Sequence, residues 1–91
     1  MTSESTVSII TRSHRQDGGQ FSTVIDTVWA DPDQAKEELT RIKNRMNTTQ
    51  GENQWRARNP IGQPNDVTVE MLKDGHWDCQ IFYRIIEKDV H

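Results

Sequence analysis

Only one stretch of the chain repeats its apolar residues at helical spacing. In ADPDQAKEELTRIKNRMN, Ala35, Leu39, Ile42 and Met46 stand at i, i+4, i+7 and i+11, a single stripe along a cylinder. Asp31 is a good N-cap, Pro32 suits the first helical position because its missing N–H costs nothing there, and Gln34 completes a capping box. Acidic residues fill the first turns and basic ones the last, as the helix dipole favours, and Glu37 and Arg41 form an i,i+4 pair. The spacing predicts one amphipathic helix over roughly 32–46.

The rest alternates with a period near two, the signature of strands. TVSIITR (6–12) and FSTVIDTVWA (21–30) flank SHRQDGGQ, in which Asp17, Gly18 and Gly19 supply the positive φ angles of a reversal. In the second run Phe21, Ile25 and Trp29 alternate against Val24 and Val28, so both sides are expected to be covered in part. After the helix, NTTQGEN reads as a polar loop. QWRARN (54–59) reads as a short strand with Trp55 and Ala57 on one face and Gln54, Arg56 and Arg58 on the other. Pro60, Gly62 and Pro64 end it.

NDVTVEML (65–72) and HWDCQIFYRII (76–86) flank Lys73, Asp74 and Gly75 and predict a hairpin. A two-residue Asp-Gly turn would oppose Met71 to Asp78 and Val69 to Gln80, apolar against polar. A three-residue loop with Gly75 in the left-handed position of a G1 bulge opposes Met71 to Trp77, Val69 to Cys79 and Val67 to Ile81 instead. It also opposes the acids Glu70 and Asp78, a smaller penalty than the apolar pairings lost. The bulged hairpin is the expected register.

These elements combine into an α+β fold in ββαβ(β) order: an antiparallel sheet of four to five strands with one amphipathic helix packed on one face. The expected core is Val7 or Ile9 with Ile25, Leu39, Ile42, Met46, Trp55, Val67, Val69, Met71, Trp77, Cys79, Ile81, Tyr83 and Ile85. A frayed start at 1–5 and a single domain over 6–91 complete the organisation.

Composition agrees and narrows the choice. Ninety-one residues make one small domain, and Val, Ile and Thr number 23 against two leucines and three alanines, which favours strands. The hydrophobic fraction of 32 % is low, so the core is thin. Cys79 is the only cysteine, which excludes an intrachain disulfide and a cysteine-based zinc site. The start MTSEST carries no secretory pattern, no apolar run spans a bilayer, and lipidation signals are absent. Cytoplasm, without a membrane association, is the expected location.

Candidate chemistry is sparse. Cys79 with His76 and Asp78 resembles a catalytic set, but strand alternation puts the thiol on the opposite face from both, so a core thiol is expected. His14, His76 and His91 show no metal-ligand spacing. Asp26, inside the apolar run TVIDTV, is the one carboxylate placed for a raised pKa, although an outward strand position explains it more simply. Asp17-Gly18-Gly19 leads into a strand, so it is a hairpin turn and not a phosphate-binding loop. No catalytic residue, metal or cofactor is expected.

Charge is unevenly placed. The chain carries a net −3, with residues 31–40 acidic and residues 41–58 basic. If the helix covers one side of the sheet, the other presents Arg56, Arg58, Thr68, Leu72, Phe82, Arg84 and Ile86, joined by Ile10 and Arg12. Phe82 and Ile86 on a solvent face are costly unless something covers them. The expected function is that of a non-enzymatic protein-binding module using Arg56, Arg58, Phe82, Arg84 and Ile86. By compositional analogy the class is a small bacterial or phage accessory or inhibitor protein, anti-defence or regulatory. The alternative is a nucleic-acid-binding protein using Arg12, Arg41, Arg45, Arg56 and Arg58. A thin core and open sheet edges also make a homodimer an expected assembly.

Overall fold

A computed structural model describes residues 5–50 and 53–90 of the chain. Asp31 caps the only helix among these residues, its carboxylate accepting the Asp33 N–H at 2.9 Å, and α1 runs from Pro32 to Met46. Ala35, Leu39 and Ile42 are buried and Met46 packs against them, as the stripe predicts. Arg41 pairs with Glu38 one turn back, at 2.8 Å, rather than with Glu37. Asn47 follows the helix and ties it to the sheet. Its amide donates to Lys43 O at 2.9 Å and to Ala57 O at 3.1 Å, and its Oδ1 accepts the Ala57 N–H at 2.8 Å.

The strands are β1 (Ser5–Arg15), β2 (Phe21–Trp29), β3 (Thr48–Gln50), β4 (Asn53–Arg58), β5 (Asp66–Lys73) and β6 (His76–Val90). They form one sheet in the order β2-β1-β6-β5-β4-β3, every neighbouring pair antiparallel. The α+β architecture with one helix on one face is therefore as expected. Five strands have six residues or more, and β3 adds a three-residue edge inside the segment read as a polar loop. QWRARN is indeed a strand. The frayed segment expected at 1–5 lies, except for Ser5 at the start of β1, outside the described residues.

Opposed residues share a face, so the register sorts the side chains. On the helix side stand Ile10 opposite Ile85, Val67 opposite Tyr83, and Val69 between Ala57 and Ile81. With Ala35, Leu39 and Ile42 these residues form the core, flanked by Trp29, Trp55 and Met46. Ile9 and Ile10 are adjacent and both buried, so β1 gave no pattern to choose between phases. Ile10, not Val7 or Ile9, faces the helix. Ile25, expected inside, is 64 % exposed on the opposite face.

The hairpin between β5 and β6 departs from the expected register. Asp74 and Gly75 have φ of 51° and 79°, the two left-handed residues of a two-residue turn whose twist matches the strands. Met71 consequently opposes Asp78, Leu72 opposes Trp77, and Glu70 opposes Cys79. The extra residue sits beyond the four pairs that follow the turn, from Lys73–His76 to Glu70–Cys79. Between Glu70–Cys79 and Val69–Ile81 the register shifts, leaving Gln80 as the bulge. That bulge returns Ile81, Tyr83 and Ile85 to the helix side and leaves Trp77 and Cys79 on the other. A favourable local turn and a later bulge thus replace the single bulged loop.

Candidate functional site

The face away from α1 is built by alternate residues of five strands and carries no element of the described chain over it. Its apolar part lies on β2, β1 and β6: Ile25, Val28 and Ile86 are 64 %, 56 % and 41 % exposed around a buried Ile9. Phe82 opposes Ser13 on one side and Thr68 on the other and is half-buried. Ile10 and Arg12, expected here, face the helix instead.

Beside the apolar part, charged residues form two tied groups. Glu70, almost fully buried, accepts Arg56 Nε at 2.9 Å and Arg58 Nε at 3.0 Å on the same oxygen. Asp66, also buried, receives Arg84 through Nε and Nη2 at 3.2 and 3.3 Å, a two-pronged pair. The guanidinium groups lie over aromatic rings: Arg56 over Trp77 at 4.1 Å, Arg84 over Phe82 at 5.0 Å, and Arg15 over Phe21 at 6.0 Å. Carboxylates from below and ring faces from the side hold the arginines in place while much of each stays accessible. Arg15, Arg56, Arg58, Arg84 and Lys88 stand against Asp66, Glu70 and Asp78, the last reaching Arg15 at 3.5 Å, which leaves a balance of +2 here within a chain of net −3. The other surfaces carry the acidity.

The sequence-derived sites divide accordingly. Arg56, Arg58, Phe82, Arg84 and Ile86 come together on this one face. The alternative set does not: Arg12 pairs with Asp26 at 3.7 Å on the helix side, Arg41 pairs with Glu38 on the helix, and Arg45 is exposed in the last helical turn. Compared with known proteins, the chain matches no family model, no curated protein and no solved structure.

Chemical groups elsewhere are weaker. Burial, reinforced by the Glu70 carboxylate opposite, pushes the Cys79 thiol above its ordinary 9.0, so it stays protonated at neutral pH and is a poor nucleophile. His76 and Asp78 fall on the other side of the strand, as alternation predicted. Asp26 is the extra residue of a bulge where Ile10–Thr27 gives way to Thr11–Ile25, and its carboxylate serves Arg12. The described residues hold no group of three or more His, Cys, Asp or Glu able to bind a metal, and no helix among them is long and apolar enough to cross a membrane. A cleft of about 150 Å³ between α1 and the 59–65 loop is lined by Lys36, Lys43, Asn59 and Asn65, with Lys43 Nζ already donating to Asn59 Oδ1 at 2.9 Å.

Trp77, Glu70 and Asp66 were not among the expected site residues. A readable signal existed for Trp77: Asp74-Gly75 favours the two-residue turn, and that turn alone puts Trp77 on the Arg56 face.

Proposed function

We propose that this chain is a non-enzymatic protein-binding module whose uncovered sheet face, around Arg56, Arg58, Phe82, Arg84 and Ile86, seats an acidic protein surface. The observation that carries the reading is the row of arginine–aromatic stacks beside exposed isoleucine and valine. Aromatic and arginine side chains dominate the energetics of protein contacts, and those ordered before binding lose the least freedom on docking. The net positive balance of the face favours an acidic counterpart. Occupying a partner's surface without chemistry is how a small inhibitor or accessory protein acts, and that is the role we assign to it.

The nucleic-acid reading fits less well, because Arg12, Arg41 and Arg45, which it needs beside Arg56 and Arg58, lie away from that face. Capture of partners from a cell lysate, with and without nuclease, separates the two. The protein reading expects the same bound protein in both arms. Replacing Phe82→Ala together with Ile86→Ala, which leaves the Arg84–Asp66 pair intact, is expected to weaken that complex by about 2 kcal/mol while the fold persists. Unchanged affinity, or binding that vanishes with nuclease and falls about 0.9 log units per log salt for each neutralised phosphate, overturns the proposal.

A further inference from the structure

The two edges of the sheet are finished differently. One edge is blunted: the terminal strand β3 is only three residues long, and beyond it the Asn47 side chain takes both the N–H and the C=O of Ala57 on β4. At the other edge β2 bonds to β1 on one side, and no described strand pairs with the opposite side. Edge strands are ordinarily blunted by shortness, lysine or proline. Here β2 is nine residues long and contains neither. Its one charge, Asp26, sits at the bulge and is engaged by Arg12. Phe21, Val24, Ile25 and Val28 are all more than 40 % exposed along it, with side chains on both faces.

We infer that β2 is a self-association edge: a second copy of this chain pairs antiparallel with it about a two-fold axis, continuing the sheet through both molecules. The occupant follows from charge and symmetry. Two copies of a chain carrying −3 repel each other, and β2 is a place where they can meet without opposing like charges. A strand set antiparallel to its own copy is self-complementary, as a two-fold interface requires. The bulge at Asp26 limits regular pairing to the residues before it, which centres the axis on Thr23. Phe21 then meets Ile25 of the second copy on the open face, and Ser22 meets Val24 on the helix side. Pairs of aromatic with β-branched residues are favourable across strands. The two open faces become one continuous surface, so the dimer would present the partner-binding groups twice.

Two measurements test this. Light scattering from micromolar to millimolar chain is expected to show mass rising toward twice 10.6 kDa, with Ile25→Lys shifting the transition at least tenfold in concentration. In a Cys79→Ser background, Thr23→Cys is expected to form a reducible dimer under mild oxidation, because directly opposed strand residues lie within disulfide reach. Thr68→Cys, far from the edge, is the control and is expected to form no cross-link. A chain that scatters as a monomer throughout overturns the inference. So does a dimer that Ile25→Lys leaves unchanged, or one in which Thr23→Cys cross-links no better than Thr68→Cys.

Discussion

On the helix side of the sheet Ile10, Val67 and Val69 are wholly removed from solvent beneath Leu39 and Ile42, whereas across the same strands Ile25, Val28 and Ile86 remain 41–64 % exposed. Both faces draw on the same small supply of apolar residues in a chain that is only 32 % hydrophobic. A monomer selected for stability alone would place them under the helix. Their position on the open face, beside arginines already ordered by Glu70 and Asp66, shows that one side of the sheet stabilises the fold and the other keeps apolar surface in contact with water.

That contrast can be broken or sharpened by substitution. The largest effect is expected from Ile42→Ala, which empties a fully buried site facing the sheet: a loss of about 2–5 kcal/mol in denaturant unfolding. Asn47→Ala should follow at about 2 kcal/mol, since Ala57 loses partners for both backbone groups and the helix end is freed from β4. Glu70→Gln tests the join between the faces. The buried acceptor of two part-exposed arginines is weakened, and roughly 1–2 kcal/mol is expected together with loosened Arg56–Trp77 packing, visible as altered Trp fluorescence.

A smaller effect concerns alkaline pH. Burial raises the Cys79 thiol above 9.0 and the Tyr83 phenol above 10.0, so between the unfolded and folded values the native state holds more protons than the unfolded one. Stability contributed by these neutral groups is complete below pH 9 and declines as pH rises through the folded values. Cys79→Ser should remove the earlier part of that decline in an unfolding-versus-pH series. The smallest effect is expected on the open face, where Ile25→Ala should change stability by no more than about 0.5 kcal/mol. A cost there equal to that of Ile42→Ala would abolish the distinction between the faces.

Legibility followed how local the determining signal was. The helix was readable because its cap, its stripe and its charge gradient all lie within 16 consecutive residues, from Asp31 to Met46. The gathering of Arg56, Arg58, Phe82, Arg84 and Ile86 on one face was also readable, because each lies in an uninterrupted alternating run. Trp77 and Cys79 were misplaced because the bulge at Gln80 leaves no mark in the pattern: a polar residue between a cysteine and an isoleucine alternates as well as any other. The phase of β1 was hidden by two adjacent isoleucines buried on opposite faces. The carboxylate anchors Asp66 and Glu70 escaped notice because their roles depend on β5 lying between β4 and β6, an arrangement nowhere written in a single segment.

The unpaired residue Gln80 works as a phase inverter. Ahead of it odd-numbered positions of β6 look toward open solvent, and after it even-numbered ones do. Drawing Gln80 into regular pairing opposite Glu70 would turn the tip of the strand over like a page, carrying the indole from beneath Arg56 to the far side without the change of a single amino acid.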